Sequence, residues 1–230
     1  EITLRFARKG KEFDMTLVPV SSGALKTLLY DSWVAENRKI VDSLSGGRVA
    51  YVYMKDMGNQ SLDKFLIDMT GIALGKEALI LDIRNNRGGN VHDDVIRFLS
   101  QKPYLEWQAR NGKRSPQPNF APSGGPIILM VNEQSLSDAE MTAAAFRQLK
   151  MGTIVGTETY RWIIFTSGRQ LVDGSSTRLP AWGCYDLEGN DLEKTGVKPD
   201  VYVRTTFGDM QKGNDPQLVT AVKEALGALH

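Results

Sequence analysis

The chain has 230 residues, 41% of them hydrophobic and 24% charged, with a formal net charge of +1. That length supports one good core, and a charge balance so near neutrality, without a long basic run, gives no electrostatic case for nucleic acid. Cys184 is the single cysteine and His92 and His230 are the only histidines, which excludes an intramolecular disulfide and a metal site built from several cysteines or histidines.

The apolar pattern then reads as follows, from the first residue onward. Ile2, Leu4 and Phe6, followed by Phe13, Met15 and Leu17, alternate along two strands joined at Arg8-Lys9-Gly10-Lys11. This is a hairpin, closed by Pro19. A hairpin is marginal by itself, so residues 1–20 are expected to be the end of a domain that starts before residue 1. Residues 21–27 read as a connector, and 28–44 as a helix ended by Gly46-Gly47. Arg48 to Met54 and Ala78 to Ile83 are strands, with a helix from a Ser61 cap to Thr70 between them.

Asp82-Ile83-Arg84-Asn85-Asn86-Arg87-Gly88-Gly89 leads from the second strand into a helix through Val91, Val95, Ile96 and Leu99. Adjacent glycines between strand and helix let backbone N–H groups approach an anion, although such a turn is also common without that use. Asp93 and Asp94 suit the first turn of a helix, where the dipole favours carboxylates. Residues 103–108 read as an edge strand and 109–125 as a polar loop containing prolines.

Pro126 to Val131 is an unbroken apolar run, as expected of a strand covered on both faces. From Asp138 the period becomes helical, through Met141, Ala145 and Leu149, with Lys150 as a cation at the helix end. Ser137 sits at the junction. Ser-x-x-Glu before an apolar run is a capping box; the same position also suits a nucleophile beside free N–H groups. Thr153 to Val155 is a short strand, 156–168 a loop with exposed-looking aromatics, and 169–182 a hairpin turning at Asp173-Gly174. Ile163 to Phe165 are also compatible with a strand. Residues 183–200 read as loop, Val201 to Val203 as a strand, and a last helix starts at Asp215 with Pro216 in its first turn. Strands alternating with helices make the fold class α/β. No apolar run reaches membrane-spanning length.

Taken together and in order, Leu81-Asp82-Ile83-Arg84, Asn86, Gly88-Gly89, Val131-Asn132-Glu133, Ser137-Asp138-Ala139-Glu140, Val155-Gly156-Thr157 and Gly196-Val197-Lys198-Pro199-Asp200 resemble the tail-specific and C-terminal processing serine peptidases, and most of all the tricorn-type core. The resemblance implies a ClpP/crotonase-like ββα spiral for the core. It divides the chain into the last hairpin of a truncated PDZ-like domain at 1–20, a linker and helix at 21–47, and a peptidase catalytic subdomain at 48–230. It also implies Ser137 as nucleophile, with Gly88, Gly89 and the Asp138 N–H as oxyanion hole. The Asp138 side chain then matches a position that holds a basic substrate residue, and Glu193 the glutamate that orients a histidine base.

Two departures bear on activity. The processing peptidases carry a lysine base in the loop after the strand at 153–155; the corresponding place falls on or beside Trp162, and Arg161 does not deprotonate usefully. Tricorn-type enzymes take their histidine from a segment before the PDZ domain. The base is therefore expected from outside these residues, which leaves this piece alone inactive. His92 is the one internal candidate for a base, and it also serves as a polar helix-start residue. Cys184 has no partner motif for a nucleophile. The expected activity is cleavage of short or unstructured peptides, with no metal or organic cofactor, by a homo-oligomer or a multidomain protein. A tricorn-like protein implies the cytoplasm, a processing peptidase an extracytoplasmic compartment. An inactive ligand- or peptide-binding protein on the same fold, like the retinoid-binding relatives of these peptidases, is the competing reading, with Tyr160, Trp162, Ile163, Ile164 and Phe165 as an apolar lining. A crotonase-type acyl-CoA enzyme rests on fold analogy alone.

Overall fold

The computed structural model of the chain describes residues 1–118 and 124–229. They fall into two compact units, Glu1–Asn37 and Arg38–His230. In the first, β1 (Ile2–Arg8) and β2 (Lys11–Leu17) pair antiparallel, with Ile2 opposite Leu17 and Arg8 opposite Lys11. Lys9 and Gly10, both with positive φ, make the turn. The Phe6 and Phe13 rings stack at 5.8 Å. The expected connector at 21–27 is instead the start of α1 (Ser22–Ser45), where the Ser21 hydroxyl accepts from the Ala24 N–H at 3.2 Å. A serine cap extends the helix over residues whose apolar pattern was too short to reveal it. The division between the units lies within α1.

The second unit continues with β3 (Val49–Tyr53), α2 (Asn59–Thr70), β4 (Ala78–Asp82) and α3 (His92–Leu99). Next come β5 (Leu105–Gln108), β6 (Arg114–Gln117), β7 (Ile127–Val131), α4 (Asp138–Gln148) and β8 (Thr153–Gly156). The chain closes through β9 (Ile164–Gln170), β10 (Ser176–Gly183), α5 (Leu192–Thr195), β11 (Val201–Tyr202), α6 (Phe207–Gln211) and α7 (Pro216–Gly227).

Three further details differ from the sequence reading. β5 and β6 form an antiparallel hairpin inside the stretch expected to be an edge strand and a loop, and residues 119–123 of that loop lie outside the described residues. α2 starts after Gly58, and Ser61 sits inside the helix with its hydroxyl donating to Asp56 at 2.6 Å. α5 and α6 are short helices in stretches too polar for periodicity to reveal. The β9–β10 hairpin turns at the expected Asp173-Gly174, and Ile164 and Phe165 belong to β9.

Five strands make one parallel sheet in the order β11-β8-β7-β4-β3. β3, β4 and β7 are buried along their whole length, as continuous apolar runs covered on both faces require. Alternation assigns the two faces. Ala50, Val52, Leu79, Leu81, Ile127, Leu129, Val131 and Ile154 form one core with Phe65 and Met69 of α2, Val95, Ile96 and Leu99 of α3, and Ala139, Ala143 and Phe146 of α4. The opposite face is covered by α7, which packs on β3, β4, β7 and β8 through a buried stripe including Leu218, Ala221, Val222 and Ala225. Because the strands are parallel, the turns after β4, β7 and β8 all emerge at one edge of the sheet. Ligand sites of open α/β sheets form there, outside the carboxyl ends of the strands. The fold is thus mixed α/β, the class expected, and its central sheet is parallel.

Candidate active site

The turn after β4 is held from below by charge. Asp82 and Arg84 are buried, the Arg84 Nη2 lying 2.7 Å from Asp82 Oδ2 and its Nη1 2.8 Å from Asp215 Oδ2. Tyr51 adds a hydroxyl donor to Asp82 at 2.8 Å, and Gln217 an acceptor for Arg84 at 3.1 Å. Burial works against the Arg84 charge, but Asp82 and then Asp215 outweigh it and hold the guanidinium protonated. The pair roots the next residues, Asn85 to Gly89.

Those residues are cross-bonded to the turn after β7. The Asn85 N–H donates to Asn132 Oδ1, and the Asn132 amide returns a bond to Asn85 Oδ1, both at 2.9 Å. The Ser135 hydroxyl donates to the Ile83 carbonyl at 2.8 Å, and the Leu136 N–H to the Asn86 carbonyl at 3.0 Å. Gly88 then packs on Ser137 itself: a Cβ at Gly88 would lie 2.7 Å from the Ser137 Cβ and 2.9 Å from the Leu136 carbonyl. With φ +76 as well, only glycine suits this position.

The two expected glycine amides divide. The Gly88 N–H donates to Asn86 Oδ1 at 2.9 Å, so it is already used. Met57 takes the Gly88 carbonyl and gives its own carbonyl to the Asn90 N–H, which leaves the Gly89 N–H on the opposite side. Among the described residues the Gly89 and Asp138 N–H groups have no hydrogen-bond partner.

Ser137 is the last residue before α4 and has φ 57 and ψ −119. This is the first central position of a type II′ turn, which favours glycine. A serine held there on a sharp strand-to-helix turn is the geometry of a nucleophile elbow. Ser137 and Glu140 keep a capping-box arrangement, but the hydrogen bond that forms is from the Ser137 N–H to Glu140 Oε1, at 3.1 Å. The Ser137 hydroxyl makes no cap bond, and the Glu140 N–H goes to the Ser137 carbonyl at 2.9 Å. The hydroxyl is therefore not spent on capping.

Glu140 does more than cap. Completely buried, it also accepts from the Trp162 N–H at 2.8 Å, the Arg161 N–H at 2.8 Å and the Thr159 hydroxyl at 2.5 Å. One carboxylate thus ties the serine turn to the loop after β8. Thr159 in turn receives the Val197 N–H at 2.9 Å, which draws in the segment after α5. Glu133 and Thr157 add a parallel tie, hydroxyl to carboxylate, at 2.6 Å, and this bond holds the Glu133 carboxyl below its usual range. The Ser-x-x-Glu spacing marked Glu140, but nothing in the sequence showed the loop it would bind. Glu140→Gln, which turns an amide NH2 toward donors, is expected to cost about 1–3 kcal/mol of stability, read as a lower denaturant midpoint.

Asp138 is 2% exposed. Its Oδ2 accepts from the Val91 N–H at 2.8 Å and the His92 N–H at 3.1 Å, and its Oδ1 lies 2.5 Å from His92 Nδ1. The carboxylate faces the start of α3, with its oxygens already occupied by these donors. The other ring nitrogen of His92 lies 3.5 Å from Asp93. Among the described residues no hydrogen bond joins His92 to Ser137.

Glu193, on α5, is half-buried, and its side chain has no hydrogen-bond partner among the described residues. Cys184 is half-buried, with its thiol pushed up by burial and then by Asp191 and Glu140; a protonated thiol there is a poor nucleophile. In the aromatic loop Ile163 is core, whereas Tyr160 and Trp162 are about half exposed and pair at 6.0 Å between ring centroids. Lys150 is an exposed residue just past α4. Among the described residues no group of three or more His, Cys, Asp and Glu is placed to hold a metal ion, and no helix is long and apolar enough to cross a membrane.

The sequence profile described as Peptidase family S41 matches residues 48–203, which include every strand of the parallel sheet and all the residues around Ser137. Tricorn protease homolog 1 of Streptomyces coelicolor is 33% identical over 235 aligned residues, which take in 96% of this chain and 22% of that protein. The tricorn protease of Thermoplasma volcanium is 31% identical over 202 residues, 87% of this chain and 19% of its own. Among solved structures, the crystal structure of the tricorn protease matches with a TM-score of 0.88 at 29% identity, covering 99% of this chain and 22% of that one. The chain therefore spans about a fifth of the length of these curated relatives.

Proposed function

The chain belongs to peptidase family S41, and from that membership we propose that it is the nucleophile-bearing core of a serine peptidase. The observation that carries this reading is the Ser137 turn: a strained elbow whose hydroxyl makes no cap bond, beside two N–H groups without partners. The Ser137 hydroxyl oxygen attacks the substrate's peptide carbonyl while a base takes its proton. The Gly89 and Asp138 amides receive the negative oxygen of the tetrahedral intermediate. The intermediate collapses by breaking the carbon–nitrogen bond, the amine leaves with the proton returned by the base, and water then releases the acyl group.

The base comes from outside residues 1–230, oriented by Glu193. Two observations support this part. The loop after β8, residues 156–168, contains no lysine, and the ring nitrogens of His92 are turned to Asp138 and Asp93. The relatives' greater length leaves room for such a segment in a multidomain protein. We read the core as a ClpP/crotonase-like spiral and β1–β2 as the end of a PDZ-like domain, on the resemblance and the parallel sheet with its separate hairpin unit. Substrates are short or unstructured peptides. A preference for a basic residue through Asp138 has no support in this arrangement, because its carboxylate is occupied.

An inactive binding protein remains the second reading, favoured by the exposed Tyr160–Trp162 pair. The test is fluorophosphonate labelling of the intact protein and of this chain alone, each beside Ser137→Ala. Labelling of the intact protein, abolished in the variant and absent from the chain alone, is expected. An unlabelled intact protein would overturn the peptidase reading in favour of binding; labelling of the chain alone would place the base within it.

A further inference from the structure

The candidate oxyanion hole is made from two segments far apart in sequence. Gly89 precedes α3, and Asp138 begins α4. What joins α3 to that serine turn at close range is the Asp138 carboxylate, gripped by the Val91 N–H, the His92 N–H and the His92 ring at 2.8, 3.1 and 2.5 Å. The carboxylate belongs to the same residue whose amide faces the reacting carbonyl in the peptidase reading. An uncompensated negative charge there would oppose the negative oxygen that forms on attack.

We propose that His92 is a positioning residue of the oxyanion hole: its cationic ring, with the amino end of α3, fixes the Asp138 turn against the Gly89 turn and cancels the Asp138 charge beside the developing oxyanion. This inference rests on the peptidase reading above and gives His92 a role other than that of base.

The surroundings favour the cation. The charged groups facing His92 are Asp138 from α4 and Asp93 and Asp94 from its own helix. The bond to Asp138 raises the imidazole pKa above its ordinary value; partial burial opposes this, and the charges of Asp138, Asp93 and Asp94 add to it. The sign follows. A raised pKa keeps His92 charged to higher pH than an ordinary imidazole, and its contribution is lost as pH rises through that value. Above it the neutral ring still holds Asp138 by one hydrogen bond but no longer cancels its charge, so acylation of Ser137 slows.

The test follows the rate of Ser137 phosphonylation in the intact protein from about pH 5 to about pH 10, a range that spans imidazole titration. Wild type, His92→Gln and His92→Ala are compared, and thermal unfolding is recorded for each. The wild-type rate is expected to fall on the alkaline side. His92→Gln, a neutral donor at every pH, is expected to lose that fall and to be slower by roughly tenfold at neutral pH; His92→Ala is expected to be slower still. A merely structural histidine would lower stability without moving the profile. Rates within twofold of wild type in both variants, or an alkaline fall that survives in His92→Gln, would overturn the proposal while leaving the peptidase reading intact. Absence of phosphonylation in the wild type at every pH would remove both. Nitrogen NMR of the His92 ring gives a second reading that does not need turnover. A raised imidazole pKa that returns toward the ordinary value in Asp138→Asn supports the pair, and an ordinary wild-type titration overturns it.

Discussion

Ser137→Gly is expected to unfold at a higher temperature than the wild type while losing nearly all hydrolysis. Ser137 carries φ 57 and ψ −119, a conformation that glycine adopts freely and other residues do not. Such backbone strain costs about 1–3 kcal/mol. Glycine returns part of the relief, about 0.5–1 kcal/mol, through the larger entropy of the unfolded chain. A net gain of about 1 kcal/mol corresponds to a rise of about 2–4 °C for a domain of this size. Ser137→Ala separates the two effects. Alanine keeps the strain and removes only a hydroxyl that makes no cap bond, so its stability is expected within about 0.5 kcal/mol of wild type. Peptide hydrolysis by the intact protein is expected to fall roughly a million-fold in either variant, the order seen when a serine nucleophile is removed. A glycine variant less stable than the alanine variant would mean that the elbow is not strained, and the argument from geometry to nucleophile would fail.

Arg84→Met is expected to destabilise the protein by about 3–5 kcal/mol, the usual cost of leaving a buried charge without its partner. Arg84 and Asp82 are almost inaccessible to solvent, and the same guanidinium reaches Asp215 and Gln217 at the start of α7. Asp215 also caps that helix, accepting from the Leu218 N–H at 3.0 Å. Removal of Arg84 therefore loosens both the root of the Gly88-Gly89 turn and the helix that covers one face of the sheet. Combining Arg84→Met with Asp82→Leu is expected to recover a large part of the loss, because the buried charge goes with its partner. Denaturant midpoints of the two single variants and the double variant measure this coupling. Additive losses would show that the pair does not act as a unit.

The apolar runs of β3, β4 and β7 determined the α/β class and the buried sheet, because a fully covered strand can be built only from such residues. Gly88-Gly89 and Ser137-Asp138-Ala139-Glu140 likewise showed where turns meet helices, since positive φ and capping have local chemical signatures. Residues 109–118, 192–195 and 207–211 were harder to read. Their elements are too short or too polar for periodicity, and β6 exists only because β5 lies beside it. Only the tertiary structure decided how the amides and carboxylates near Ser137 are used. Asn86 takes the Gly88 amide, Glu140 binds a loop about twenty residues away, and the Asp138 carboxylate is held by His92. The reason is physical. Backbone conformation and apolar burial are set largely by neighbours in sequence, whereas a hydrogen bond made by a buried polar group depends on which distant donors the folded sheet brings within 3 Å.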